Sequence, residues 1–258
     1  MSCALFPSPI FGPIHSRRLG VSLGINLLPA TAKVCSFDCI YCECGFNKDH
    51  DAKRELPTRQ EVKEALESKL IKLAAQGPAP DVFTFAGNGE PTSHPEFSEI
   101  IDDTIKLRDQ YFPQAKISVL TNSTFVNRAK VAQALLKIDN PIMKLDTVDP
   151  DFIRLVDRPN AKYDVTKIVE RLQKHPGKFI VQTMFLKGSY DGHDLNNMTD
   201  DYVEPWLDAL DKIKPREVMI YTLDRETPAK GLVKASRAEM DALAEKVQAR
   251  GHAVMVSY

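Results

Sequence analysis

Residues 33–45 read Lys33-Val-Cys-Ser-Phe-Asp-Cys-Ile-Tyr-Cys-Glu-Cys-Gly45, which spaces three cysteines as C-x-x-x-C-x-x-C. We call residues 33–45 the cysteine loop. The alternating run before it, residues 21–28, predicts a first β-strand. Chemistry in α/β folds gathers where strands end. This order therefore predicts a site at the carboxyl end of the first strand.

The three spaced cysteines, Cys35, Cys39 and Cys42, predict a metal centre. Thiolates are soft ligands that favour iron–sulfur clusters, zinc and Cu(I). Zinc sites and simple clusters usually take four protein ligands, so three thiolates on a four-iron cluster leave one iron open to a small molecule. The alternative is a structural zinc site or an inert cluster with Cys44 as fourth ligand. No second C-x-x-C or Cys/His pair follows Cys44 to complete such a site elsewhere.

Composition sets the class of protein. A chain of 258 residues fits one α/β domain, and its apolar content of 43% is ordinary for a soluble protein. A net charge of −1 gives no overall attraction to nucleic acid, although it leaves room for a local basic patch. No apolar run approaches the ~20 residues of a membrane span. Four of the five cysteines crowd into residues 35–44, which indicates a reducing compartment; we expect a cytoplasmic protein without signal peptide or membrane association.

Strand-like and helix-like runs alternate along the rest of the chain. Strands are predicted at residues 21–28, 81–86, 116–120, 142–145, 179–185 and 217–222, with a seventh edge strand at 253–257. Helices are predicted at residues 58–76, 95–111, 128–138, 164–175, 200–213 and 236–250, the first capped by Thr58 with Glu61. This alternation predicts a parallel sheet. Six or seven strands are too few for a closed eight-stranded barrel and fit a partial one.

Two segments fall outside this alternation. Residues 1–18 are rich in proline and glycine and are predicted to be irregular. Residues 187–199 form a long polar stretch, which predicts a mobile lid, because long loops without regular structure are usually functional or disordered. His193, within this stretch, is expected to be an exposed loop histidine more often than a catalyst.

The cysteine spacing, with aromatic Tyr41 directly before the last of the three cysteines, resembles the motif of the radical S-adenosylmethionine (radical SAM) superfamily. The resemblance implies a [4Fe-4S] cluster on Cys35, Cys39 and Cys42, whose fourth iron chelates SAM. It implies reductive cleavage of SAM to methionine and a 5′-deoxyadenosyl radical that abstracts hydrogen from a substrate. It also implies a TIM-like (β/α)6 partial barrel that makes residues 1–258 a single domain.

A second motif, Gly87-Asn88-Gly89-Glu90-Pro91, follows the second predicted strand. Two glycines let the backbone approach a ligand closely, and Glu90 could accept from an ammonium group. Taken alone, the segment could be an ordinary loop. It resembles the superfamily's glycine-glycine-glutamate motif, which implies contact with the SAM amino group.

Polar residues also end the later strands. Thr121, Asn122 and Ser123 end the third strand and look like the superfamily's contacts to SAM, with an ordinary turn or helix cap as the alternative. Asp146 ends the fourth strand, where it could accept from SAM or cap the next segment. Lys144 lies two residues earlier and so on the same face. Further candidate contacts to SAM are Gln182 or Thr183, on opposite faces of the fifth strand, and Tyr221 at the end of the sixth.

The substrate side is less defined, and no catalytic residue is assigned. Arg225 could bind a carboxylate or phosphate, or form a surface ion pair with Asp224 or Glu226. Adjacent Arg17 and Arg18 point to opposite sides, so at most one enters the barrel. The candidates on the substrate side are Arg17, Arg18, Lys144 and Arg225. Residues 16–26, with the two motifs, resemble the branch grouped with the tRNA wyosine-forming iron–sulfur oxidoreductases, which favours a modified nucleoside or tRNA base as substrate.

Cysteine usage limits the chemistry further. Wyosine-forming enzymes carry an additional N-terminal cysteine set, whereas only Cys3 precedes the cysteine loop. No cysteine follows Cys44, so neither an auxiliary cluster nor the catalytic cysteine of radical RNA methyl synthases is expected. A small metabolite or a glycyl residue of a partner enzyme are the other candidate substrates. The expected partner is an electron donor such as flavodoxin or ferredoxin. A non-catalytic four-cysteine metal-binding module is the alternative outside enzymology.

Overall fold

A computed structural model describes residues 5–16, 18–49 and 55–258. Its strands are β1 Ile10–Ser16, β2 Gly20–Ile25, β3 Val82–Phe85, β4 Lys116–Thr121, β5 Asn140–Lys144, β6 Ile180–Met184, β7 Leu186–Tyr190, β8 His193–Asp194, β9 Glu217–Tyr221, β10 Leu232–Lys234 and β11 Val254–Ser257. Its helices are α1 Arg59–Gln76, α2 Phe97–Tyr111, α3 Ala129–Lys137, α4 Pro150–Phe152, α5 Val165–Leu172, α6 Asp200–Ile213 and α7 Arg237–Ala249. Helix α4 continues as a π-helical turn, Ile153–Asp157.

One curled sheet has the strand order β1-β2-β3-β4-β5-β6-β9-β11. Strand β1 is antiparallel to β2, and every other neighbouring pair is parallel. The seven parallel strands are connected through the helices, so their carboxyl ends meet at one edge. The predicted α/β partial barrel is confirmed, including the edge strand near the end of the chain.

The first helix forms as its sequence predicts. Thr58 Oγ1 accepts from the Glu61 backbone N–H at 3.3 Å, and the Glu61 carboxylate accepts from the Thr58 N–H at 2.7 Å. The capping box satisfies two amides that a helix start otherwise leaves unpaired. The apolar stripe of α1, Val62, Leu66, Leu70 and Leu73, is buried.

The main core lies between the sheet and the surrounding helices. Trp206 of α6 packs edge-on against Phe185 with ring centroids 5.3 Å apart, and its Nε1 donates to Thr183 Oγ1 at 3.1 Å. This contact places Thr183 on the helix-facing side of β6. Because side chains alternate along a strand, Gln182 faces the barrel interior, which resolves the choice that the sequence left open.

The prediction that residues 1–18 are irregular was wrong for Ile10–Ser16. This segment is β1, which pairs with β2 at the edge of the sheet and has an irregular register between Phe11 and Ile14. Pro13 lies within that irregularity. Proline cannot donate a ladder hydrogen bond, but an edge strand or a bulge tolerates it, so proline content was a misleading signal here.

The prediction of a structureless lid at residues 187–199 was also wrong. Strands β7, β8 and β10 form a small antiparallel sheet in the order β10-β7-β8. Asp191 and Gly192 join β7 to β8 with φ angles of 50° and 78°, the left-handed conformation that a tight hairpin turn requires. Lys187 Nζ binds the Glu239 carboxylate at 2.7 Å, which fixes this sheet to α7. His193 is exposed, as expected.

Candidate functional site

The cysteine loop lies across the carboxyl ends of the strands, held by backbone bonds to the glycine motif. Val34 and Gly89 form an isolated parallel bridge, in which the Val34 N–H donates to Asn88 O at 2.8 Å and the Glu90 N–H donates to Val34 O at 3.1 Å. Gly89 has φ +134°, and a Cβ there would lie 1.9 Å from Val34 O. Glycine is therefore needed at residue 89 for the loop to lie where it does.

The thiols of the loop have polar partners. Cys35 Sγ accepts from the Phe37 N–H at 3.4 Å and from Asn122 Nδ2 at 3.7 Å. Cys39 Sγ donates to Asp157 Oδ1 at 3.7 Å. Burial raises the pKa of Cys35 to about 12 and that of Cys39 well above its usual value. A hydrogen bond from Cys44, assisted by Lys33, lowers the pKa of Cys42 to about 6. Cys44 Sγ also donates to Gly87 O at 3.4 Å.

Lys33 is a buried cation beneath these thiols, and sequence reasoning did not assign it a role. It is 4% exposed, its Nζ donates to Gly45 O at 2.7 Å, and it lies 3.5 Å from Asp38 Oδ1. Burial alone would lower the pKa of Lys33, but the nearby thiolates and Asp38 outweigh it, so the pKa is raised. A retained positive charge offsets the negative charge that thiolate ligands bring to a metal centre.

The described residues hold no preformed site for a single metal ion: within residues 5–16, 18–49 and 55–258, no three His, Cys, Asp or Glu side chains lie close enough to ligate one. A zinc site brings its ligands to about 2.0–2.3 Å from one ion, whereas a four-iron cluster spreads its cysteine ligands over several irons.

Three buried polar side chains and the half-buried Lys144 form a network beside the loop. Lys144 Nζ contacts Asp146 and the Tyr41 hydroxyl, and it lies 2.8 Å from Asp157 Oδ1. The Tyr41 hydroxyl in turn donates to Asp146. Asp146 Oδ1 also accepts from the Met184 N–H at 3.0 Å. Burial alone would lower the pKa of Lys144, but Asp146 and Asp157 hold it well above its usual value. The predicted common face of Lys144 and Asp146 is confirmed, and Asp157 is a member that the sequence did not indicate.

We expect Lys144→Met to destabilise the protein strongly, because it leaves Asp146 and Asp157 buried without their cation. Breaking a buried ion pair typically costs about 3–5 kcal/mol. The control is Lys130→Met. The Lys130 side chain is 80% exposed and pairs with Glu99, so its replacement should lower the free energy of unfolding by less than about 0.5 kcal/mol. Urea unfolding of both variants measures the difference. Equal losses of stability would show that the network does not support the fold.

Glu90 is buried and hydrogen-bonded to the end of the next strand. Its carboxylate accepts from the Thr92 N–H at 3.0 Å, from Thr121 Oγ1 at 2.7 Å and from the Asn122 N–H at 2.7 Å. Burial raises the pKa of Glu90 although these bonds oppose the shift. Asn122 Nδ2 in turn donates a hydrogen bond to Ser36 Oγ at 2.8 Å. The two polar motifs thus meet, and their bonds hold the cysteine loop.

Two predicted SAM contacts have internal partners in this structure. Asn88 is fully buried, and its Nδ2 donates to Pro29 O at 2.8 Å and to Phe6 O at 2.9 Å. Ser123 has φ 67°, and its N–H donates to Thr121 Oγ1 at 3.1 Å. Both residues therefore shape the loops that carry Gly87 and Asn122.

A cavity of about 470 Å³ occupies the barrel interior. Cys42 and Gly87 line it beside the cysteine loop, Gln182 and Tyr221 line its wall, and Arg18 reaches it from the turn between β1 and β2. Cys42 of the predicted cluster site therefore lines one chamber together with six other predicted site residues, Arg18, Tyr41, Gly87, Gln182, Tyr221 and Arg225.

Of the other two arginine candidates, Arg225 also lines this cavity. Arg225 is 58% exposed at its side chain, and its Nη1 binds Glu43 Oε2 at 2.8 Å. The alternative of a surface ion pair is correct, but the partner is Glu43 rather than Asp224 or Glu226. Arg17 lies outside the described residues.

Comparisons with known proteins agree with this geometry. A family model described as the radical SAM superfamily matches residues 31–201. A UPF0026 protein of Helicobacter pylori is 32% identical over 225 residues, which are 86% of this chain and 68% of that protein. The chain spans between 30% and 78% of the length of five curated relatives. Among the described residues, no helix is long and apolar enough to cross a membrane.

Solved structures share the fold at low sequence identity. A radical SAM methyltransferase from Sphaerobacter thermophilus superposes with a TM-score of 0.68 at 16% identity, covering 92% of this chain and 66% of its own. Streptococcus suis SuiB bound to S-adenosylmethionine superposes with a TM-score of 0.61 at 15% identity, covering 88% of this chain and 49% of its own. On the family match, and in keeping with the barrel and its cysteine loop, the chain belongs to the radical SAM superfamily.

Proposed function

We propose that this chain cleaves SAM reductively and directs the resulting radical at a substrate held in the barrel cavity. The observation that supports the proposal is the position of the cysteine loop over the carboxyl ends of the strands, with Cys42 lining the cavity. When bound, a [4Fe-4S] cluster and SAM together supply methionine and a 5′-deoxyadenosyl radical that abstracts hydrogen.

Cys35, Cys39 and Cys42 would hold the cluster. The N–H donors on Cys35 Sγ, from Phe37 and Asn122, stabilise charge on that sulfur. Lys33 supplies the buried positive charge that three thiolates require in a site with little water. These features fit a charged iron–sulfur centre more closely than they fit a set of neutral thiols.

SAM would lie between the loop and the cavity wall. Gly87, Gln182 and Tyr221 face the cavity and are the proposed direct contacts. Asp146, fixed by the Met184 N–H, and Glu90 are the acceptors proposed for the polar groups of SAM. Asn88, Thr121, Asn122, Ser123 and Tyr41 position these groups through the hydrogen bonds described above.

The barrel excludes water from the reaction. Strand β1 covers the outer edge of β2, and Phe6 and Phe11 line the cavity beside it. Exclusion of water from this chamber when ligands fill it would prevent quenching of a reactive intermediate by solvent. A one-electron reductant such as flavodoxin or ferredoxin is the proposed protein partner.

Incubation of the anaerobic, reduced protein with SAM tests this function. We expect formation of 5′-deoxyadenosine and methionine by the wild type, and only background formation by Cys42→Ala. If protein that retains its iron forms no 5′-deoxyadenosine, the proposed function is wrong, and a non-catalytic metal-binding role replaces it.

A further inference from the structure

Arg18 enters the barrel at the end opposite to the cysteine loop. It lies in the turn between β1 and β2, at the amino ends of the parallel strands. The neighbouring Leu19 packs against the apolar cluster of Ile142, Ile180 and Met219 inside the barrel, and Met255 of β11 packs against the same cluster. The turn therefore forms the floor of the cavity, and Arg18 extends from this floor into the interior.

The guanidinium group of Arg18 is in place but incompletely hydrogen-bonded. It lies over the Tyr221 ring, 4.8 Å from the ring centroid. Its Nη1 is shielded from solvent and donates to no acceptor in the described part of the chain. Folded proteins rarely leave a buried donor unpaired, so such a group calls for a ligand or another explanation.

The other charges that line the cavity do not neutralise Arg18. Glu43 is bound to Arg225 at 2.8 Å, and Asp224 lies 3.9 Å from Lys234 Nζ. No ion pair between described residues includes Arg18. Beside Tyr221, the cavity therefore holds a positively charged group with a free N–H donor.

We propose that the cavity binds a small substrate through an anionic group, a carboxylate or a phosphate, held by Arg18. This inference rests on the proposed function, because it assigns the substrate class of the same site. A planar guanidinium suits both anions, and the Tyr221 ring supports it by a cation–π contact. The anion would occupy the Arg18 side of the cavity, with the reacting carbon towards Cys42.

The position of the cation favours a small molecule over RNA. A tRNA base inserted into the chamber would bring its uncharged ring to Arg18 and leave its phosphates at the entrance. A cation inside a chamber of about 470 Å³, beside Tyr221, instead suits a molecule that enters whole. This points away from the tRNA substrate that the sequence alone favoured.

Calorimetric titration of the anaerobic, cluster-containing protein saturated with SAM tests the proposal. The probes are sodium phosphate and sodium acetate, each compared with sodium chloride at equal ionic strength. We expect the wild type to bind at least one of the two, and the anion that binds identifies the class. Arg18→Gln should weaken this binding about 10- to 100-fold, the range for a charged hydrogen bond.

Two further variants keep the test decisive. Arg18→Lys retains the charge and should lose less affinity than Arg18→Gln, which separates anion binding from a folding defect. Arg237→Gln, an arginine that stacks on Tyr258 outside the cavity, should bind the anion like the wild type.

Three results would overturn the inference: no anion binding by the wild type, equal binding by Arg18→Gln, or a matching loss of SAM affinity in Arg18→Gln. The last result would assign Arg18 to the carboxylate of SAM. Arg237→Gln is expected to form 5′-deoxyadenosine from SAM alone, as the wild type does. If no variant forms it while anion binding still depends on Arg18, the proposed function fails and the anion site stands by itself.

Discussion

Cys42→Ala is expected to remove the iron from the protein, whereas Cys44→Ala is expected to leave it in place. A [4Fe-4S] cluster carries about four irons per chain, and loss of one of only three ligands should leave a small fraction of them. The Cys44 thiol instead makes hydrogen bonds with Gly87 O and with Cys42. A neighbouring water could replace these hydrogen bonds. Iron content and visible absorbance of anaerobically purified protein measure both outcomes.

The two variants together separate the open alternatives. A protein that loses its metal equally in Cys42→Ala and Cys44→Ala has four cysteine ligands, and a structural or electron-carrying centre follows. Zinc instead of iron in the wild type would have the same meaning. Cys35→Ala and Cys39→Ala should behave as Cys42→Ala does, since the three thiols share one loop.

Gly89→Ala is expected to destabilise the protein by about 2–6 kcal/mol and to lower its iron content. The cost adds backbone strain at φ +134° to a steric overlap, because the new Cβ would lie 1.9 Å from Val34 O. Val34 directly precedes Cys35, so relief of this overlap moves the cysteine loop away from the strands. Urea unfolding and iron analysis of the same preparation report the two effects.

Gly177→Ala is the matched control. Gly177 also has a positive φ, +74°, but a Cβ there would meet nothing within 4 Å. It should therefore cost only the left-handed strain, about 1–2 kcal/mol, and should retain the iron. If both variants lose equal stability and iron, close approach of the loop is not the reason for glycine at residue 89.

The barrel could be predicted because its signals are local. Each parallel strand is a short apolar run, such as Val82–Phe85 with four buried residues. The long helices carry apolar stripes, and α1, α5 and α7 also begin with a side-chain cap. The hairpin of β7 and β8 also had a local signal, Asp191-Gly192, which its polar surroundings obscured. Strand β1 had no such local signal, because its position at the edge of the sheet tolerates a proline that most strands exclude.

The candidate site likewise combines residues that local sequence signals predicted with residues that only the packing of distant segments brings together. The three cysteines lie within eight residues, so their spacing alone indicated a shared centre. Lys33 and Asp157 could not be found, because charged residues are normally exposed and their burial follows from the packing of distant segments. Asp157 meets Cys39 across 118 residues of sequence. The alternation of side chains along β6 places Gln182 and Thr183 on opposite faces, but the contact of Trp206 with Thr183 was needed to show which of the two faces inward.

Leu19, from the turn after β1, and Met255 of β11 pack against the same apolar cluster of Ile142, Ile180 and Met219, which links the two flanks of the open barrel. The sheet order leaves β1 and β11 at opposite ends, without a hydrogen-bonded ladder between them in the described residues. Separating the two flanks along this seam breaks apolar contacts of methyl and thioether groups and breaks no main-chain hydrogen bond. Opening between any other two neighbours would sacrifice several such bonds at once. The seam is thus the least costly gateway to the interior.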